Sequence, residues 1–216
     1  MRRNVSVVGT GDMGSRIVGA LTKSGIDVAW GSRDPARARL RIEDLGLSRV
    51  QVVGVEETLE ADVVIPTLWF QDLLPWAEAH RSALEGKIVV DIVNPFNDEF
   101  DDFVLDWGTS AAERLQALLP RSSVVGAFKN TFARVFDAPV HEGVVSDVYV
   151  TSDDETARRA VIELLNGTPF RVLDAGLLRN NRTIERMTLF ERELSIRRGH
   201  PGYVSFRLFG GDAESR

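Results

Sequence analysis

The chain of 216 residues contains no cysteine. That absence excludes disulfides, thiolate nucleophiles and cysteine-ligated metal centres together, and it fits a reducing, cytoplasmic setting. Basic runs are missing as well: 26 Lys and Arg stand against 32 Asp and Glu, a formal charge of −6. Without a clustered cationic face the chain does not read as a binder of nucleic acid or of an anionic membrane. No apolar stretch approaches the length of a membrane span, and the run after Arg2 and Arg3 is four residues interrupted by a serine, too short for a secretory leader. Histidine is scarce. His80, His141 and His200 lie far apart with no H-x-x-H spacing, so no metal centre is expected.

What is present is an ordinary globular composition, 44% hydrophobic and 27% charged, arranged as alternating short β-branched runs and amphipathic stretches. Strands are expected at 5–9, 27–31, 50–54, 62–67, 87–93, 123–128, 147–152 and 170–175. Helices are expected at 12–25, 34–46, 70–86, 110–120 and 153–167, several closed by a glycine. Continuously apolar strands in βαβ alternation imply a parallel sheet covered on both faces, a doubly wound α/β fold of the Rossmann kind. Residues 1–175 are expected to form this domain. Residues 176–216 read as an extension, a helix at about 179–197 and a short terminal strand, packing on the domain or on a second subunit. Its apolar stripe (Ile184, Met187, Leu194) reads as core or dimer seam, with Thr188 and Glu191 alongside. The polar interval 94–110, with interleaved Phe and Trp, reads as a solvated surface loop long enough to carry function or contact a partner.

Gly9, Gly11 and Gly14 form G-x-G-x-x-G directly after the first strand and at the start of an amphipathic helix. The first glycine allows the tight turn, the second lets a pyrophosphate approach backbone, and the third permits close helix–strand packing. The helix N-terminus then faces the phosphates, which makes Thr10, Asp12 and Met13 part of a dinucleotide loop and Ser15 a candidate phosphate ligand. A ligand-free glycine turn is the competing reading, disfavoured by the strand–turn–helix context. At the tip of the second strand an NAD site needs a carboxylate for the ribose 2′-hydroxyl, and this chain has Gly31-Ser32-Arg33 instead. A hydroxyl and a guanidinium suit a 2′-phosphate, so Ser32 and Arg33 point to NADP(H). Asp34 followed by Pro35 reads as a helix N-cap with proline at N1.

With these features in place, "VVGTGDMGSRIVGALTKSGIDVAWGSRDPARA", "VVDIVNPF", "VVGAFKNTFA" and "RVLDAGLLRNNRTIE" resemble the deazaflavin-dependent NADP reductases and their wider group of NADP-binding reductases. That resemblance implies NADPH bound through Gly9 to Gly14 and Ser32-Arg33, a nicotinamide near the ends of the fourth to sixth strands, a deazaflavin or flavin as co-substrate, and a homodimer. It departs at Lys129, where the deazaflavin enzymes carry histidine.

The ends of the later strands supply the remaining candidates, because open α/β sheets bind ligands beyond strand carboxyl ends. Thr67 and Leu68 should border the cofactor, with Trp69 and Phe70 as a wall or as core. Asn94-Pro95 could hold an amide near the nicotinamide carboxamide or form a simple Asx turn. Lys129, Asn130 and Thr131 are the catalytic candidates. Lys129 could polarise a carbonyl or donate a proton, which keeps reduction of a small imine or ketone beside hydride transfer to a flavin-like ring; a surface lysine is the bland alternative. His141 and His200 are loop residues that could act as acids. A third reading is a non-catalytic NADPH-sensing protein.

Overall fold

The computed structural model describes residues 4–200, 202 and 204–210. Arg2, Arg3 and residues 201 and 203 of the expected terminal strand lie outside the described residues.

Six short strands build the central sheet: β1 (Val5–Val8), β2 (Val28–Gly31), β3 (Val50–Val53), β4 (Val63–Pro66), β5 (Ile88–Asp91) and β6 (Ser123–Gly126). All pair in parallel in the order β3-β2-β1-β4-β5-β6, so the sheet grows outward in opposite directions from β1 and β4 and a crevice opens at their carboxyl ends. Valines suit this sheet because both faces are covered; Val7, Val64, Val89 and Val124 are fully buried. The covering helices are α1 (Asp12–Lys23), α2 (Pro35–Leu45), α3 (Phe70–Ala79) and α4 (Ala111–Leu118). Asp34 caps α2 by accepting from the Arg37 amide, with Pro35 in the first turn, as its sequence predicts.

The expected strands 147–152 and 170–175 do not join this sheet. They form β9 (Asp147–Val150) and β10 (Arg171–Asp174), a separate parallel pair spanned by α5 (Glu155–Leu165). One antiparallel bridge, Gly126 to Thr151, links the pair to β6. His141 lies in β7 (Val140–His141), which forms a two-residue hairpin with β8 (Val144–Val145) rather than an open loop.

The last helix, α6 (Asn181–Arg197), packs back against the end of the sheet. Its buried face is polar: Asn181, Glu185, Thr188, Glu191 and Ser195 point inward with Ile184, while Met187 and Leu194 are only half-buried. Of the stripe expected as core or dimer seam, only Ile184 is fully buried; the interior mostly takes polar residues of α6, to which it offers Lys129 and backbone groups. The described residues beyond α6 form no strand, although the Phe206 carbonyl accepts from the Asp147 amide. Among the described residues, no helix is long and apolar enough to cross a membrane.

Candidate functional site

The glycine loop joins β1 to α1 at the crevice. Gly9 has φ +108°, and a Cβ on Gly14 would meet the Gly9 carbonyl at 2.4 Å and Thr67 Oγ1 at 2.6 Å, so backbone and helix approach more closely than any side chain permits. Gly11 is different: a Cβ there would meet nothing within 4 Å. Its open side faces the space a phosphate would use. No side chain caps α1, whose N-cap is Gly11, so the first-turn amides are left for a ligand. The loop is held from both flanks. Trp30 Nε1 donates to the Gly9 carbonyl at 2.8 Å, and Thr67 Oγ1 donates to the Val8 carbonyl at 2.8 Å. Arg41, which sequence patterning did not single out, reaches from α2 to Ser15 Oγ at 3.4 Å, with its Nε buried and unpaired.

At the β2 tip the two expected ligands differ. Ser32 is buried, and its hydroxyl donates to the Asp34 carbonyl at 2.8 Å while accepting from the Asp34 amide, so it shapes the turn. Arg33 is exposed and makes no hydrogen bond or ion pair with any described residue. No carboxylate pairs with it, and its guanidinium is available to an anion.

Beyond the loop, a cleft of about 520 Å³ runs between the glycine loop and α6. Gly11, Asp12, Met13, Thr67 and Leu68 border it on the cofactor side; Thr131, Thr188 and Arg192 border it opposite. Trp69, Phe96 and Phe100 supply a wall, with Trp69 edge-on to Phe100 at 5.8 Å and Phe96 tilted against Phe100 at 5.5 Å. The 94–110 loop therefore does more than solvate the surface: Asn97 folds it by accepting from the Asp101 and Asp102 amides, which turns Phe96 and Phe100 into the cleft. A larger depression of about 930 Å³ along β2 and β3 contains none of the glycine-loop residues.

Two buried polar atoms lie at this cleft without a partner, Asn94 Oδ1 and Thr131 Oγ1. The Asn94 amide is oriented by its Nδ2, which donates to the Lys129 carbonyl at 2.8 Å, leaving the oxygen unpaired. Buried polar atoms are normally satisfied, so two orphans in one cleft mark places where a ligand completes the bonding. The uncapped helix, the open side of Gly11, the unpaired Arg33 and the Asn94 acceptor together fit a dinucleotide phosphate and a nicotinamide carboxamide.

Lys129, Asn130 and Pro95 do not face the cleft. Lys129 is fully buried, and its Nζ is held by Asp91 at 2.7 Å, by Glu185 at 2.8 Å and by the Val93 carbonyl. The amine is fully buried among these partners and does not border the cleft, so Lys129 does not reach a substrate bound there; it is no surface lysine either. Burial alone would lower its pKa, but the charges of Asp91 and Glu185 outweigh it and hold the amine above the ordinary lysine value. Asn130 bonds the Asp147 carbonyl through Nδ2, a structural contact. Pro95 is buried beside the cleft, its carbonyl accepting from Val104. None of His80, His141 and His200 lines the cleft, and the described residues hold no cluster suited to a metal.

Lys129 nevertheless organises what does line the cleft. Its carbonyl accepts from Asn94 and from Thr188 Oγ1, and Glu185 accepts from the Ala111 amide at 3.0 Å. One buried lysine thus ties the ends of β5 and β6 to α6, and α6 to the start of α4.

Residues 4–95 match the model of the family described as "NADP oxidoreductase coenzyme F420-dependent". The chain is 31% identical over 195 residues to the F420-dependent NADP reductase of Methanocaldococcus jannaschii, covering 83% of this chain and 86% of that protein. It is also 31% identical over 185 residues to the rat metalloreductase STEAP3, covering 86% of this chain but spanning only 36% of that longer protein. Among solved structures, a candidate F420-dependent NADP reductase from Arthrobacter sp. FB24 superposes with a TM-score of 0.82 at 24% identity, over 96% of this chain and 99% of that one. A hypothetical protein from Sinorhizobium meliloti gives a TM-score of 0.73 at 27% identity, over 82% of this chain and 86% of that one.

Proposed function

We propose, from the premise that this chain belongs to the family of coenzyme F420-dependent NADP oxidoreductases, that it moves hydride between NADP(H) and a flat deazaflavin or flavin-like ring bound in the cleft beneath α6. The observation that carries the reading is the cleft itself: apolar, aromatic-walled, open to the glycine loop, and without a free acid or amine at its centre. Reduction of a conjugated ring asks mainly for stacking at the right distance, whereas reduction of an isolated C=O or C=N asks for a proton donor. Lys129, the feature that favoured an imine or ketone, has its amine engaged elsewhere.

In this reading the α1 amides and the backbone at Gly11 hold the pyrophosphate, and Arg33 binds the 2′-phosphate. Asn94 Oδ1 accepts from the nicotinamide carboxamide and so fixes the ring plane. NADPH when bound supplies a hydride from C4 of that ring. Trp69, Phe96 and Phe100 exclude water and position the acceptor, and the Thr131 hydroxyl donates to an acceptor heteroatom on which charge builds. A homodimer belongs to the same proposal, supported by the exposed Phe190 and Ile196 of α6.

The test is steady-state oxidation of NADPH at 340 nm with a deazaflavin, a flavin and a panel of small imines and ketones. Turnover confined to the fused-ring acceptors supports the assignment. Turnover confined to imines or ketones, or tight NADPH binding with no turnover at all, refutes it.

A further inference from the structure

Two carboxylates and one ammonium meet behind the cleft, and their charges do not cancel. Asp91, Lys129 and Glu185 are all buried, at 2% exposure or less. Lys129 Nζ lies 2.7 Å from Asp91 Oδ2 and 2.8 Å from Glu185 Oε1. The other partners of both acids are donors as well. Asp91 Oδ1 accepts from the Val93 amide at 2.9 Å, and Glu185 accepts from the Ala111 amide at 3.0 Å and the Ala112 amide at 3.4 Å, at the head of α4. Burial pushes the Glu185 pKa up and the Lys129 charge pulls it back, while a carboxyl that meets only amides and an ammonium is held as carboxylate. The cluster therefore carries one net negative charge.

That charge sits directly behind the wall of the cleft. Ile92, Val93, Asn94 and Thr188 border the cavity. The cluster holds Val93 by both backbone groups, its amide through Asp91 and its carbonyl through Lys129 Nζ. The Lys129 carbonyl in turn accepts from Asn94 Nδ2 and Thr188 Oγ1. Of the other charged residues at the cleft, Asp12 is paired with Arg16, and Arg192 is half-buried, where water screens it. A fully buried charge is screened far less.

We propose that the net negative charge of the Asp91–Lys129–Glu185 cluster favours the oxidised, cationic nicotinamide over the reduced one, and so biases the protein toward giving hydride to its acceptor. When the C4–H bond breaks and hydride leaves with the bonding pair for the acceptor ring, the nicotinamide keeps a positive charge and the reduced acceptor takes its proton from water. An anion fixed beforehand in a dry interior stabilises that charge as it develops. This rests on the reading of Asn94 as the carboxamide partner, and it adds a direction to the reaction proposed there.

The experiment is calorimetric titration of NADP+ and of NADPH at pH 8 into wild type, Glu185→Gln and Asp91→Asn, with thermal melts to identify folded variants. The wild type is expected to bind NADP+ at least as tightly as NADPH. Each substitution removes one buried negative charge and should lower the NADP+ to NADPH affinity ratio by about three- to tenfold, the worth of a unit charge within about 10 Å at an effective dielectric of about 20. A merely structural role weakens both forms alike and leaves the ratio where it was. One folded variant suffices, and the wild-type ratio decides if neither folds. A wild type that prefers NADPH, or a folded variant with the wild-type ratio, overturns the proposal and leaves the cofactor site standing. A wild type that binds neither nucleotide refutes the cofactor site as well.

Discussion

Glu191 sits on the buried face of α6 at 1% exposure, and neither carboxyl oxygen has a hydrogen-bond partner. Burial pushes its pKa from 4.5 up to about 9, the Phe206 amide facing the carboxyl without closing a bond and offsetting burial only in part. The folded protein therefore keeps this proton at neutral pH while the unfolded chain releases it above 4.5. With the folded value raised, stability is fully present below the unfolded pKa, falls as pH rises from about 4.5 to 9, and levels off above. Each pH unit in that window costs about 1.4 kcal/mol, so at pH 7 the group's protonation costs about 3 kcal/mol of stability. Glu191→Gln keeps the shape and removes the titration. Urea unfolding of both proteins at pH 5, 7 and 8.5 should show nearly equal stability at pH 5 and a growing advantage for the glutamine variant, about 3 kcal/mol by pH 7. A difference that does not change with pH, or a variant less stable at pH 8.5, refutes the reasoning.

Arg33→Ala should weaken NADPH binding by about 10- to 100-fold, the worth of a charge-assisted hydrogen bond, and leave NADH affinity nearly unchanged; equal losses for both in titration calorimetry would dismiss the phosphate role. Lys129→Met should lower stability by about 3–5 kcal/mol, because two carboxylates are left buried around an uncharged side chain. A variant of normal stability whose defect is confined to turnover of carbonyl substrates would instead restore the lysine as a proton donor.

The glycine loop was legible in the sequence because its geometry is local: Gly9, Gly11 and Gly14 act within one turn, and Trp30 and Thr67 only brace what they form. The capped start of α2 at Asp34 was legible for the same reason. The sheet was legible only in part. A short Val-rich run looks alike whether it adds to a sheet or pairs apart, so Asp147–Val150 and Arg171–Asp174 were expected in the wrong place. Lys129 was misread because its partners, Asp91 and Glu185, lie 38 and 56 positions away in sequence and meet it only in the fold. The same burial makes the inward face of α6 polar, against the rule that apolar residues mark the core. Arg192 carried no signal at all: an arginine on an amphipathic helix is ordinary until the cavity beside it is known.

The central claim is direct hydride transfer across the cleft, and single-turnover reaction of NADPH deuterated at C4 with a deazaflavin acceptor tests it most directly. The acceptor analysed by mass spectrometry should carry one deuterium when the labelled face is the one used and none when it is the other, the two labelled forms giving opposite results. Deuterium lost to solvent from both forms, or no reduction with either, would contradict the account.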